Sequence, residues 1–131
     1  MFTVYRREIA DVDPFAFIPV DTEISIGTAC KLTSGKIVKC AATDYPAYIT
    51  QGPKRADGTQ PCIRVLPTTI FQTTTSAAIA VAKVGTSVQL GTDAATVTAT
   101  AAGPFIVTYT ENNTTGPVRG YFKETAAGIG G

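Results

Sequence analysis

Glycine and proline punctuate this chain at short intervals, and threonine, valine, isoleucine and alanine dominate the segments between them. No window of helical length carries a convincing run of apolar residues at i, i+3 and i+4, so no stretch offers the single apolar stripe that an amphipathic helix needs. β-Branched residues between turn formers favour short strands, because their stiff side chains pack well on a pleated surface. The expectation is an all-β protein, a small β-barrel or sandwich. Ser76 to Lys83 is the one candidate for a short helix, and Ile79, Val81 and Val84 fit a strand about as well. At 131 residues, 44% of them apolar, the chain can bury roughly two-thirds of its unfolded surface, enough for a core without staples.

Ile24 to Ala41 reads as a hairpin. A three-residue loop, Thr33-Ser34-Gly35, would place Gly35 in the left-handed position that closes such loops. Cys30, Leu32, Val38 and Cys40 then face the core, and Lys31, Ile37 and Lys39 face largely outward. A short strand follows Tyr45-Pro46, then a polar loop from Gln51 to Gln60, then a strand from Cys62 to Leu66.

The second half repeats the first at an offset of 58 residues. Gly27-Thr28 matches Gly85-Thr86, Leu32 matches Leu90, Ala41 matches Ala99, Pro46 matches Pro104, Thr50 matches Thr108 and Gly58 matches Gly116. These are seven identities in the 35 positions from Ile24 to Gly58. The expected organisation is an extended N-terminal arm (1–23), a first β unit (24–66), a connecting strand (67–75), a second β unit (76–125) and a flexible tail (126–131). The two units are expected to be similar and rich in hairpins.

The arm holds Phe2, Tyr5, Phe15, Phe17 and Ile18 with prolines at 14 and 19. It is too aromatic to float in solvent, so it covers an open edge of the barrel or reaches a neighbouring subunit. It carries a net charge of −3, against +4 for residues 24–64, an arrangement suited to docking within one chain or onto a second. Phe2, Tyr5, Arg6, Arg7, Phe15, Phe17, Ile18, Lys54 and Arg55 are the candidate interface residues.

The chemistry is sparse. There is no histidine, so the side chain that most readily moves protons near neutral pH is missing, as is the usual base of a nucleophilic triad. Acidic residues are scattered, and Asp11-Val12-Asp13-Pro14 lacks the ligand count of a calcium loop. No phosphate cradle or dinucleotide fingerprint is present. The expectation is a non-enzyme without catalytic, cofactor or metal residues. Cys30, Cys40 and Cys62 are odd in number and lack C-x-x-C spacing, so they read as small buried hydrophobes in a reducing compartment. A net charge of +1 argues against a nucleic-acid partner. No apolar run approaches a membrane span, and nothing at Met1 points to export.

Ile26-Gly27-Thr28-Ala29-Cys30-Lys31-Leu32, then Gly35-Lys36-Ile37-Val38-Lys39, then Tyr45-Pro46-Ala47-Tyr48-Ile49-Thr50-Gln51-Gly52, resembles small capsid-decoration and head-stabilising proteins of tailed bacteriophages. The resemblance covers about residues 24–66. It implies a β-rich virion protein, made in the host cytoplasm, that sits on the outer capsid surface. Such a protein bridges major capsid subunits, stiffens the shell and in some members forms homo-oligomers. The rival class is an Ig-like or carbohydrate-binding module on a fibre, tail or cell surface, with Tyr45, Tyr48, Tyr109 and Tyr121 as possible sugar contacts. Another head or tail component is a third reading.

Overall fold

The computed structural model of the protein describes residues 1–7, 15–114 and 116–123. The expected tail at 126–131 and the Asp11–Asp13 pair lie outside them. The described chain is nearly all β, in two sheets. In order its strands are β1 (Thr3–Arg7), β2 (Ala16–Pro19), β3 (Ala29–Thr33), β4 (Lys36–Lys39), β5 (Tyr48–Thr50), β6 (Thr59–Arg64), β7 (Thr69–Thr75), β8 (Ser87–Leu90), β9 (Thr96–Ala101), β10 (Phe105–Thr110) and β11 (Pro117–Phe122). Of the candidate helix, only Val81–Lys83 coils, as a single 3-10 turn.

One sheet has the order β2-β6-β5-β3-β4 and the other β1-β7-β11-β10-β8-β9. In the second, the far end of β7 also pairs in parallel with β9, Thr74 to Thr96 and Thr75 to Val97. Strands β7, β11, β10, β8 and β9 therefore close into a five-stranded barrel, which leaves no edge among those five. Strand β1 pairs with the near end of β7, from Thr69 to Gln72.

The duplication is visible in the strand order. Five strands in each half follow one plan, β2-β6-β5-β3-β4 and β7-β11-β10-β8-β9. The ladders agree residue for residue: Tyr48–Arg64, Ile49–Ile63 and Thr50–Cys62 correspond to Phe105–Phe122, Ile106–Tyr121 and Val107–Gly120. Gly27 donates to the Thr50 carbonyl at 2.8 Å, and Gly85 to the Val107 carbonyl at 2.7 Å. Both glycines have left-handed φ, +83° and +89°, a conformation that a Cβ disfavours.

The pairing also refines the alignment. The offset of 58 holds for β3 with β8 and for β6 with β11, but it is 57 for β5 with β10. Pro46 and Pro104 are thus not equivalents, and Thr50 answers to Val107 rather than Thr108. Insertions collect in the connections, where length is cheaply changed. Each unit also gains a first strand that sequence matching placed outside the repeat: β2 comes from the 1–23 segment, and β7 from the 67–75 connector. Only the second unit closes. β2 and β4 approach each other, but no ladder joins them among the described residues. Pro19 stands where Thr74 stands in the closed barrel, and proline has no N–H to donate. The Lys36–Asp21 ion pair, 2.7 Å, spans this seam, so one acidic residue of the arm does meet the basic body within the chain.

The β3–β4 hairpin departs from expectation. Its turn has two residues, Ser34 and Gly35, both left-handed at φ 51° and 78°, and Thr33 pairs with Lys36. This is the turn geometry that matches strand twist. Shortening the loop by one residue turns every side chain of β4 over. Ile37 is therefore a core residue, 2% exposed, and Val38 is exposed; Leu32, the cross-strand partner of Ile37 on β3, is exposed as well. All three are the reverse of the expectation from a three-residue loop.

Phe2, Phe71, Phe105 and Phe122 fill the barrel, with ring centroids 5.1–6.4 Å apart. The same apolar cluster runs on through Ala29, Cys40, Ile49, Ile63 and Val65 of the first unit. Backbone bonds from Ala29 to the Ala94 carbonyl and from Leu90 to the Ala42 carbonyl join the units directly. They share one core. A smaller cluster of Val20, Cys30, Ile37 and Cys62 fills the unclosed unit.

All three cysteines are buried and free, as expected. Burial pushes the Cys62 thiol up to about 11 and the Cys40 thiol up to about 12. Burial, then the neighbouring Cys62 and Cys40, raises Cys30 as well. At pH 8 the native thiols should react with a disulfide reagent slower than the unfolded chain's by a factor on the order of 100, because thiolate is the nucleophile. One fast-reacting thiol in a native titration would contradict this packing.

Candidate functional site

The candidate interface residues do not form one surface. Phe2 is 1% exposed and lies inside the barrel; its N–H donates to the Gly27 carbonyl at 2.7 Å, which seats the start of the chain over the core. It is a packing residue and not an available contact, a correction to the sequence reading. Ile18 packs against the Cys30–Cys62 cluster. The Arg7 side chain lies outside the described residues.

Phe15, Phe17, Lys54 and Arg55 belong to a first patch. Phe15 and Phe17 are 51% and 49% exposed and stand two residues apart at the start of β2, a spacing that sends side chains to one side of a strand. The Arg55 guanidinium lies 4.6 Å from the Phe17 ring centroid. Lys54 Nζ donates to the Asp21 carbonyl at 2.8 Å. The loop that carries these cations is built: Arg55 N–H donates to the Thr59 carbonyl, Gly58 N–H to the Arg55 carbonyl, and the Asp57 carboxylate accepts from both Thr59 N–H and Thr59 hydroxyl.

Tyr5 and Arg6 belong to a second site, on the outer face of the other sheet. They help line a cavity of about 450 Å³ with Ile70, Tyr109, Arg119 and Tyr121, and with Pro67, Thr68 and Thr108. Arg119 is its centre. Its guanidinium lies 4.0 Å from the Tyr5 ring centroid and 4.5 Å from that of Tyr109, and its Nε donates to Gln72 Oε1 at 2.9 Å. Tyr109 donates its hydroxyl to Glu111 at 2.9 Å. That hydrogen bond to a carboxylate is the main cause that holds the phenol's proton more tightly than usual.

A β-bulge in β10 makes the Tyr109–Arg119 contact. Phe105 and Val107 point into the barrel, and simple alternation would send Tyr109 inward too. The ladder slips at Thr108, so Tyr109 pairs with Arg119 instead and joins it outside. A second slip, at Tyr5 between the pairs Val4–Phe71 and Arg6–Ile70, sets Arg6 rather than Tyr5 opposite Ile70, and both side chains join the lining. By sequence, Tyr109 and Tyr121 stand only as sugar contacts of the rival class, and Arg119 is not among the candidate interface residues. Alternation in Val118-Arg119-Gly120-Tyr121-Phe122 was the available signal, since it puts Arg119 and Tyr121 on one face. Tyr45 and Tyr48 lie elsewhere, Tyr48 against the small cluster of the first unit.

Among the described residues, no three His, Cys, Asp or Glu side chains are placed to hold a metal ion. Another cavity, about 260 Å³, opens at the unclosed seam between Val20 and Ile37. No protein-family model matches this chain, and no curated protein matches it.

Proposed function

We propose that this chain is a structural virion protein that binds the outer surface of a phage capsid and stabilises the head. The observation that supports it best is the patch of Phe15, Phe17 and Arg55, two half-exposed phenylalanines with a guanidinium stacked on one of them. Aromatic residues and arginine are the side chains that most often anchor a protein interface. The patch stands on a body whose two β units share one core, and such a body resists deformation when it bridges neighbouring subunits. The major capsid protein is the proposed partner, the capsid surface the proposed location, and a homo-oligomer the proposed state. The test is co-sedimentation with undecorated heads of matched phages. The native protein should bind in saturable, fixed stoichiometry, and the double variant Phe17→Ser with Arg55→Ala should bind at least ~10-fold more weakly. Its stability should change little, because both side chains are exposed. Absence of binding by the native protein would sink the reading.

A second reading, a binding module, is favoured by the tyrosine-lined cavity around Arg119.

A further inference from the structure

We infer that the cavity across β1, β7, β11 and β10 binds an acidic saccharide, with Arg119 taking the sugar carboxylate and the tyrosines taking the sugar ring. The inference rests on the binding-module reading and gives that module its ligand class. It concerns a different sheet from the Phe15–Phe17 patch.

Arg119 is held in place by three neighbours. Tyr5 and Tyr109 stack on it at 4.0 and 4.5 Å, and Gln72 accepts from its Nε at 2.9 Å. A guanidinium fixed in this way has little freedom left to lose on binding. Its terminal N–H groups lie in the guanidinium plane, the fork geometry that matches the two oxygens of a carboxylate.

The surroundings suit a sugar better than other anions. The cavity, about 450 Å³, falls in the ordinary range for small-ligand sites and has room for roughly one or two sugar rings. Tyr5 and Tyr109 are exposed large aromatics, and together with Tyr121 and Ile70 they offer apolar surface to the C–H faces of a sugar. Thr68 and Thr108 lie on the same lining, and their hydroxyls can donate to or accept from ring hydroxyls. Arg6 adds a second cation to the lining. Glu111 is held on the Tyr109 hydroxyl, and the Arg119 guanidinium is the group that would draw a negative ligand. A single-stranded nucleic acid would need a longer track of cations beside its stacking rings, and Arg6 and Arg119 are the cations that line this cavity.

The test uses the full chain on an array of acidic and neutral oligosaccharides, followed by calorimetry with a glucuronate-containing disaccharide and its uncharged carboxamide. The expected result is binding of the acid, at least tenfold weaker binding of the carboxamide, and at least tenfold loss for Arg119→Gln. Arg119→Lys should not restore affinity, because an ammonium lacks the planar fork. Tyr5→Ser, on the added strand β1, is a second variant that should lose the acid while leaving the barrel's strand pairing intact. Binding of neutral sugars alone, insensitive to Arg119→Gln, would overturn the acidic assignment and leave the module reading standing. No sugar binding at all would overturn both, and selective binding of an oligoglutamate peptide in a parallel titration would overturn the saccharide assignment.

Discussion

Phe2→Ala should lower folding stability by about 3–5 kcal/mol, the range for removing a buried phenylalanine from a packed core. Phe2 sits 5.1 Å from Phe122, 5.8 Å from Phe105 and 6.4 Å from Phe71, so it closes an aromatic cluster whose pairings add to plain area burial. The net stability of a domain of this kind is on the order of 5–15 kcal/mol, so one substitution near the chain terminus would remove a large share of it. Urea titration checks this directly, with the midpoint falling well below that of the native protein. Phe2→Leu keeps apolar volume and should lose less, about 1.5 kcal/mol or under. Phe15→Ala and Phe17→Ala, in the same N-terminal segment but half-exposed, should stay within about 0.5 kcal/mol. Equal effects at all three positions would mean that the N-terminal segment is not built into the barrel in solution.

Gly120→Cys should also destabilise the fold heavily, although it copies what the first unit already contains. Gly120 and Cys62 are equivalent by ladder position. Cys62 is fully buried and fits, but a Cβ at Gly120 would overlap the Ile106 carbonyl oxygen and lie 2.7 Å from the Phe105 ring. Phe105 is the counterpart of Tyr48. In the closed barrel that ring is fully buried and uses the space that the first unit leaves for a thiol. The backbone oxygen cannot retreat without breaking the ladder, so the expected cost is at the upper end of overpacking, about 3 kcal/mol. Gly35→Ala is the contrast. Its φ is also left-handed, at +78°, yet a Cβ there meets nothing, so the cost should be the backbone term alone, about 1 kcal/mol. Thermal midpoints for the pair separate steric overlap from backbone strain: a Gly120→Cys protein as stable as the native one would refute the packing described.

Part of this molecule was legible in one dimension. The lack of helical apolar spacing left Ser76 to Lys83 as the one helix candidate, and β-branched runs between turn formers predicted strands. The offset of 58 sets Cys30 against Val88, and both are fully buried packing residues. The repeat was detectable because Gly27 and Gly85 do the same backbone work at the same place. Other parts were not legible. Ile18 to Pro19 has no sequence likeness to Thr73-Thr74, yet these segments hold the same ladder position beside β6 and β11. Strands pair through their backbones, and backbone pairing leaves no signature in side-chain identity.

The local order of strands and turns, the duplication and the inward fate of the cysteines follow from the sequence itself, because they depend on residue type and short-range spacing. Three things were decided only in the folded molecule. The two-residue Ser34-Gly35 turn put Ile37 in the core and Val38 outside. One unit closed through β7 and β9, while the other, with Pro19 at the matching place, kept an open seam. A slip at Thr108 brought Tyr109 out of the barrel and onto Arg119. Each turns on a register shift of one residue or on a hydrogen bond between distant segments. Alternation has a period of two, so a single inserted residue reverses which face a side chain takes, and packing against the neighbouring strand selects the outcome.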